Sequence, residues 1–424
     1  MDHVFSRRDV IKAVAAAGAA VPVFSIPSAA ARPTGKVFKV ALVGCGGRGR
    51  GALKNCIDAG KHLGITIRPV AVADVFADRA SKMATTYSVL PERVFVGFSG
   101  YRDVMETEAD IVLMATPPNF RPLHLEAAIN AGKHVFMEKP VAVDPPGARR
   151  VIAAGELAAK KGLGIVAGTQ RRHQAAYRRN AHAIANGAIG QIVGGTVLWC
   201  SGRLWYRERR PQDSDAEYMV RNWLNFNEMS GDHIVEQHVH NIDVANWFIG
   251  HPPNMAIGFG GRARRITGNQ FDFFSIDFDY GDGCHIHSMC RQVNGCYTRV
   301  SEFFTGTEGQ TWGNGRLKST NDKEIEIPEF PEHGGPYVQE HTDLMQSILD
   351  GKPLNEARRV AESTLTAIMG RISAYTGQLV RWRDLTENKK SPFYSRALTP
   401  TAEDFESGSV KAPEDDVIWT PGKA

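Results

Sequence analysis

The sequence predicts an α/β chain in two parts: an amino-terminal domain built on a doubly wound parallel sheet, then a carboxy-terminal α+β domain with a large, mostly antiparallel open sheet. Three observations predict it. From Lys36 to about Gly168 short apolar runs alternate with helical stretches, as parallel β-α-β units require. A glycine-rich turn, Gly44-Cys45-Gly46-Gly47-Arg48-Gly49, closes the first run. Beyond residue 190 apolar and polar residues alternate singly, the period of half-buried strands.

The run from Val37 to Val43 reads as the first strand, and Ile67 to Ala73 as the second, ending at Asp74. Strand, glycine turn, helix, strand and acid make the dinucleotide-binding unit of a Rossmann domain. Gly44 makes the tight turn, Gly46 lets the backbone approach a pyrophosphate, and Gly49 allows close helix packing, with the phosphates at the helix amino terminus. Cys45, Gly47 and Arg48 complete the loop. Asp74 is placed to bind the adenosine ribose hydroxyls; an acid there repels a ribose phosphate, so NAD is favoured over NADP, with Arg48 and Arg79 as the residues that could reverse the preference.

Ile111 to Ala115 reads as a buried parallel strand leading into Thr116-Pro117-Pro118-Asn119, at the strand end where open parallel sheets bind ligands. The helix from Pro122 to Ala131 carries His124, which joins Thr116 and Pro117 as a candidate cofactor contact. Lys133 to Met137 then delivers Glu138-Lys139-Pro140, placing Glu138 and Lys139 at the cofactor crevice. After a helix near 145–161, the strand Gly164 to Gly168 leads out of this domain. The expected bounds are 36–162 for the dinucleotide domain and 163–387 for the substrate domain.

In the second domain, strands are expected at 191–200, 254–261, 271–280, 284–292 and 298–304, followed by helices at 338–350 and 355–376 with apolar faces that belong to the core. The tail, 388–424, is expected to lie extended over the surface.

The 424 residues exceed one ordinary core, and a net charge of +4 without a run of five Lys/Arg speaks against nucleic-acid or membrane-surface binding. A small, weakly polar partner fits better. Arg7-Arg8, the apolar run Ala13 to Phe24, and Ala29-Ala30-Ala31 follow the order of a twin-arginine export signal. Residues 1–31 are therefore expected to engage the twin-arginine machinery and be removed, leaving a periplasmic protein without a membrane span. The six cysteines form no CxxC pair, so free, mostly buried thiols and no zinc are expected.

The run Ala131-Gly132-Lys133-His134-Val135-Phe136-Met137-Glu138-Lys139-Pro140, with the glycine loop and Ala115-Thr116-Pro117, resembles the glucose-fructose oxidoreductase, inositol dehydrogenase and MocA family, from about Val37 to Trp382. Its second anchor, Gly231 to Asp243, resembles the family's active-site helix, with Glu236 where Asp is customary and His238 where Gly is frequent. The resemblance implies that His240 transfers the proton. It also implies that the segment after Gly168, including Arg172, lines the nicotinamide end, and that the chain is a homo-oligomer joined through its exposed sheet.

The chemistry asks for these residue types independently. Hydride leaves a carbinol carbon only as its hydroxyl proton is removed, which suits a histidine base, and the developing alkoxide needs a fixed cation, which suits Lys139. Glu236 would hold His240 or a substrate hydroxyl, one helical turn away. Arg172, His238 and Asp243 are candidate substrate contacts. Glu236, His238 and His240 are good metal ligands by type, but positions two apart on a helix diverge, so no metal is expected. The segment Trp205 to Trp223, rich in Arg, Asp, Tyr and Trp, suits a sugar or a solvated loop equally.

These readings converge on an exported, NAD(P)-dependent oxidoreductase of sugar hydroxyls with a tightly bound cofactor regenerated in each cycle. The alternative is a glycosidase like the NAD-dependent α-N-acetylgalactosaminidases, working by oxidation, elimination, hydration and re-reduction. A non-catalytic sugar or nucleotide binder is a third reading, which Lys139 and His240 weaken.

Overall fold

Apolar runs between glycine and polar turns become strands, and the order in which they pair decides where a ligand can sit. The structure, a computed structural model, describes residues 35–321, 325, 327–415, 417, 418 and 420–422. The expected export signal, 1–31, lies outside the described residues.

Six strands, β1 (Val37–Val43), β2 (Thr66–Asp74), β3 (Val94–Val96), β4 (Ile111–Met114), β5 (His134–Met137) and β6 (Ile165–Ala167), pair in parallel in the order β3-β2-β1-β4-β5-β6. Helices cover both faces: Val112, Met114 and Val135 pack with Leu125, Ile129 and Val151, while Ile111, Leu113 and Phe136 pack with Leu53, Cys56 and Met345. Burial on both sides is why β4 and β5 read as continuous apolar runs. The strand order reverses between β1 and β4, and the loops leaving these two strands carry Gly44 and Thr116.

The expected domain limit at residue 162 falls short. β6 pairs with β5, Val135 opposite Ile165, because Ile165, Val166 and Ala167 are wholly buried and need cover on both faces. The chain also returns late: Val338 and Met345 pack in one core of this domain, and Ala357, Val360 and Ala361 in the other.

The second sheet has eight strands: β7 (Ile192–Ser201), β8 (Met255–Gly261), β9 (Phe273–Asp279), β10 (His285–Gln292), β11 (Arg299–Gly306), β12 (Gly309–Thr311), β13 (Leu317–Ser319) and β14 (Val380–Arg381). Their order is β13-β12-β11-β7-β10-β9-β8-β14, antiparallel except for the β7–β10 pair. The three strands absent from the sequence reading have only two or three residues, too few to show a period. Inward residues such as Ile276, Phe278 and Phe304 share a core with Ile242 and Ile368 from the helices Val239–Ile249 and Ala357–Thr376. The other face is open, with Phe259 72% exposed. All six cysteines are free, four of them buried, and no helix among the described residues is long and apolar enough to cross a membrane.

Two expectations of local structure are corrected. The segment 231–243 is not one helix but two, His233–Glu236 and Val239–Ile249. In a continuous helix the Glu236 carbonyl would accept from the His240 amide; here the Lys139 ammonium donates to that carbonyl, and His240 N turns to Gln237 O at 3.4 Å. The tail is docked rather than draped: Thr401 caps the helix Ala402–Ser407, and Phe405 is buried with Phe76, Phe120 and Tyr218.

Immediately after β6, three successive basic side chains are each met by an acid from a different element of the second domain or the late helices. Arg171 pairs with Glu302, Arg172 holds Asp243 through two bonds of 2.8 and 2.9 Å, and His173 Nδ1 bonds Asp343 at 2.6 Å. Burial opposes the charge on Asp243, yet Arg172 keeps its carboxyl below the usual carboxylate range. Arg172→Met should therefore cost about 3–5 kcal/mol in denaturant unfolding, since a buried charge loses its partner. The Arg172→Met/Asp243→Leu double variant should recover much of that loss, and a loss equal to or larger than the single variant's would refute the pairing argument.

Candidate active site

The glycine loop meets the steric demands of its sequence. Gly44 has φ +97°, and a Cβ there would lie 2.6 Å from the Ala115 carbonyl carbon, so the β1 and β4 loops touch only because it is glycine. A Cβ on Gly49 would run into the Gly44 carbonyl oxygen, whereas Gly46 and Gly47 face open space. The helix Gly47–Leu63 begins there without an acidic residue in its first turn, leaving amide donors aimed at an uncrowded cradle that fits a pyrophosphate.

Asp74 closes the other side. Its Oδ2 accepts from Cys45 N at 2.7 Å and its Oδ1 from Phe76 N at 2.9 Å, so the acid expected at the ribose also fastens the loop. Burial raises its pKa against the pull of those amides, and burial also raises that of the Cys45 thiol. Gly44, Cys45, Gly46, Gly47, Arg48, Asp74, Thr116, Pro117 and His124 all line one cleft of about 800 Å³. His124 is a neutral imidazole, its pKa pushed down to about 3 by burial and Arg121, stacked 4.2 Å from the Tyr101 ring.

Arg48 turns away from the ribose end. Its Nε bonds Glu138 at 2.5 Å and its terminal nitrogen bonds Glu340 at 3.1 Å, which ties the glycine loop to the residue before Lys139. Gly168 leaves room for this: a Cβ would sit 2.6 Å from Glu138 Oε2. Glu340, wholly buried, has its pKa raised by burial and by Glu138, against the pull of Arg48. The sequence carried no signal for Glu340, since an acid on an amphipathic helix reads as solvated.

Lys139 and Glu236 meet. Lys139 Nζ donates to the Glu236 main-chain oxygen and to its Oε1 at 3.1 Å, so of the two partners expected for Glu236, His240 or a substrate hydroxyl, the first is replaced by the lysine. His240 is buried nearby, its ring 5.8 Å from Trp199. Burial, with Lys139, Arg171 and Arg48, holds its pKa well below the ordinary histidine value. Glu236 Oε2 and His240 Nδ1 are buried without a hydrogen-bond partner among the described residues.

The three expected substrate contacts are engaged inside the protein. Arg172 and Asp243 bind each other, Ser363 Oγ adds a bond to Asp243 at 2.7 Å, and His238 Nε2 lies 2.8 Å from Ser288 Oγ. Helical spacing alone does not fix that these side chains point toward the core. Among the described residues no cluster of metal-ligating side chains forms. Trp205, Arg207, Arg221 and Trp223, from the segment that suits a sugar or a solvated loop equally by its sequence, line the cleft together with Asp74 and Arg79.

Burial also pushes His238 down to about 3. Both His124 and His238 thus take up protons more readily when unfolded, near pH 6.5, than when folded. The stability they contribute is complete above about pH 6.5 and is lost as pH falls toward 3. The melting temperature should decline through that window, less steeply in His238→Asn; parallel profiles would exclude His238 as a source.

Residues 38–168 match the model of an oxidoreductase family with an NAD-binding Rossmann fold, and residues 177–311 match the GFO/IDH/MocA C-terminal domain. An uncharacterized oxidoreductase of Streptococcus pneumoniae is 32% identical over 186 residues, 42% of this chain and 45% of that protein. An inositol 2-dehydrogenase of Rhizobium meliloti is 27% identical over 188 residues, 44% of this chain and 48% of that protein. The chain spans about half the length of these curated relatives. In fold it is similar to the aldose-aldose oxidoreductase of Caulobacter crescentus solved with glycerol, at TM-score 0.63 and 16% identity over 82% of this chain and 100% of that one. Both halves being matched, in the order in which the two sheets follow one another, the chain belongs to the Gfo/Idh/MocA family of oxidoreductases.

Proposed function

We propose that this chain is an exported, periplasmic NAD(P)-dependent oxidoreductase that moves hydride between a tightly bound nicotinamide dinucleotide and a CH–OH group of a sugar or sugar derivative. The observation that carries the reading is Lys139, whose ammonium docks on Glu236 close to a buried, neutral His240, on the loop that follows a strand of the dinucleotide sheet.

When bound, the nicotinamide ring supplies the hydride acceptor, and in the reverse direction the donor. The chain's own groups handle charge and protons. An ammonium has three donors; two of those on Lys139 are used by Glu236, which leaves one for a substrate oxygen, where it lowers the hydroxyl pKa and stabilises a developing alkoxide. His240 accepts the hydroxyl proton in its neutral form. The unpartnered Glu236 Oε2 accepts from a neighbouring hydroxyl, which suits a polyol, the substrate class named for the Rhizobium relative.

NAD is preferred to NADP in this reading, because Asp74 stands at the ribose and Arg48 is committed to Glu138 and Glu340. Arg7-Arg8 and the apolar run behind them support twin-arginine export. A periplasmic enzyme without a free dinucleotide pool must keep and regenerate its cofactor, with a second carbonyl compound as acceptor. The open sheet face around Phe259 supports assembly as a homo-oligomer.

Lys139→Ala should lower kcat/KM about 10²–10³-fold while dinucleotide binding persists; equal loss of both would reduce Lys139 to a structural role. Because the proton affinity of His240 is depressed, the acid limb of the oxidation profile should lie below pH 6.5 and move in His240→Gln. The founding test is nicotinamide fluorescence of the isolated protein while sugars and polyols are added. Reduction of bound NAD by one of them supports the reading, and a protein that neither carries nor accepts a dinucleotide overturns it.

A further inference from the structure

The cleft has one wall that the parallel sheet does not supply. Between β7 and the helix Asp215–Arg221 the chain leaves the second sheet and runs through 202–213, bringing Trp205 and Arg207 to a cleft that Asp74 and Arg79 also line. This segment is neither helix nor strand, yet it is held. Asn222 Oδ1 accepts from the Arg207 amide at 2.8 Å, Asn225 Nδ2 donates to the Trp205 carbonyl at 3.4 Å, and the two asparagines are joined to each other at 2.8 Å. Asn222 and Asn225 are 0% and 1% exposed, so their amides must find partners in the protein, and part of that need is met by the backbone of this strap. Farther along, Arg209 pairs with Asp215, whose other oxygen accepts the Ala412 amide at 2.9 Å, so the docked tail braces the strap from behind.

With the backbone fastened, the side chains are free to serve the cleft. Trp205 is 40% exposed, edge-on to Trp223 at 6.1 Å, with the Arg207 guanidinium 5.6 Å from its ring. A half-exposed indole beside a guanidinium is the chemistry that takes a flat heteroaromatic ring carrying phosphate: stacking for the base, a charge-assisted hydrogen bond for the phosphate.

We propose that this second-domain strap is the outer half of the dinucleotide site, with Trp205 stacked on the adenine and Arg207 facing phosphate, so that the cofactor is gripped from both domains. The inference rests on the dinucleotide reading above and supplies the retention which that reading requires. Release then needs the strap to lift from Asn222 and Asn225, or the stack to break.

The experiment loads the full chain with NADH, chases with excess NAD, and follows loss of tryptophan-to-nicotinamide energy transfer. Trp205→Ala should release NADH roughly tenfold faster or more, within the range of about 5- to 150-fold that stacking of one base commands, while Trp205→Phe retains most of the slow release. Limited trypsin digestion of the unmutated chain is the second measurement, independent of how the variants fold: NADH should slow cleavage after Arg207 and Arg209. Wild-type release rates in Trp205→Ala, or cleavage indifferent to NADH, overturn the strap while leaving the oxidoreductase reading intact. A wild-type chain that takes up no NADH overturns both.

Discussion

The contact on which the site depends is the Lys139 ammonium against the Glu236 carbonyl. It joins the two sheets' territories at one atom, because Lys139 leaves the end of β5 and Glu236 belongs to the second domain. By taking the carbonyl that His240 N would otherwise use, the lysine is matched to a break in the helix, and the break separates three neighbouring side chains. Glu236 stays at the lysine, His238 turns inward to Ser288, and His240 comes to lie beside Trp199. An unbroken helix would have placed Glu236 and His240 one above the other, a turn apart, and the lysine would have had only a carboxylate to hold.

The electrostatics follow from the same packing. The cations that act on His240, Lys139, Arg171 and Arg48, are each matched by a carboxylate, Glu236, Glu302 and Glu138 in turn. Their summed field, with burial, keeps His240 unprotonated. In the proposed reaction the two roles would reinforce each other: the charge that favours an alkoxide is the charge that keeps the base free. The wider joint of Arg171, Arg172 and His173 with Glu302, Asp243 and Asp343 makes the junction between domains a set of buried, directional bonds. Geometry at Lys139 is therefore held on both sides.

Much of this was legible in the chain. The parallel sheet announced itself through β1, β4 and β5, because strands buried on both faces must be apolar throughout, and the glycine loop because no residue with a Cβ can occupy Gly44 or Gly49. The five long strands of the second sheet were visible through single alternation, since one face is covered and the other open. Less legible were features whose partners lie far along the chain: β6 assigned to the wrong domain, the helix break at Gln237, the docking of Phe405, and the inward turn of Arg172, His238 and Asp243. Each depends on a contact 30 or more residues distant, such as Val135 with Ile165, Lys139 with Glu236 or Arg172 with Asp243, and local periodicity carries no record of such partners.

The sequence by itself determined the architecture and the dinucleotide loop, because those rest on local sterics and burial period, and its family resemblance and residue chemistry singled out Lys139, Glu236 and His240 as candidates. Only the tertiary structure decided which of these side chains face one another, that Glu236 serves Lys139, that Arg48 leaves the ribose for Glu138 and Glu340, and that Trp205 comes from the second domain to the cofactor cleft. The reason is physical: direction and partnership of a buried polar group are set by what else is buried with it, and that is known only once the chain has closed on itself.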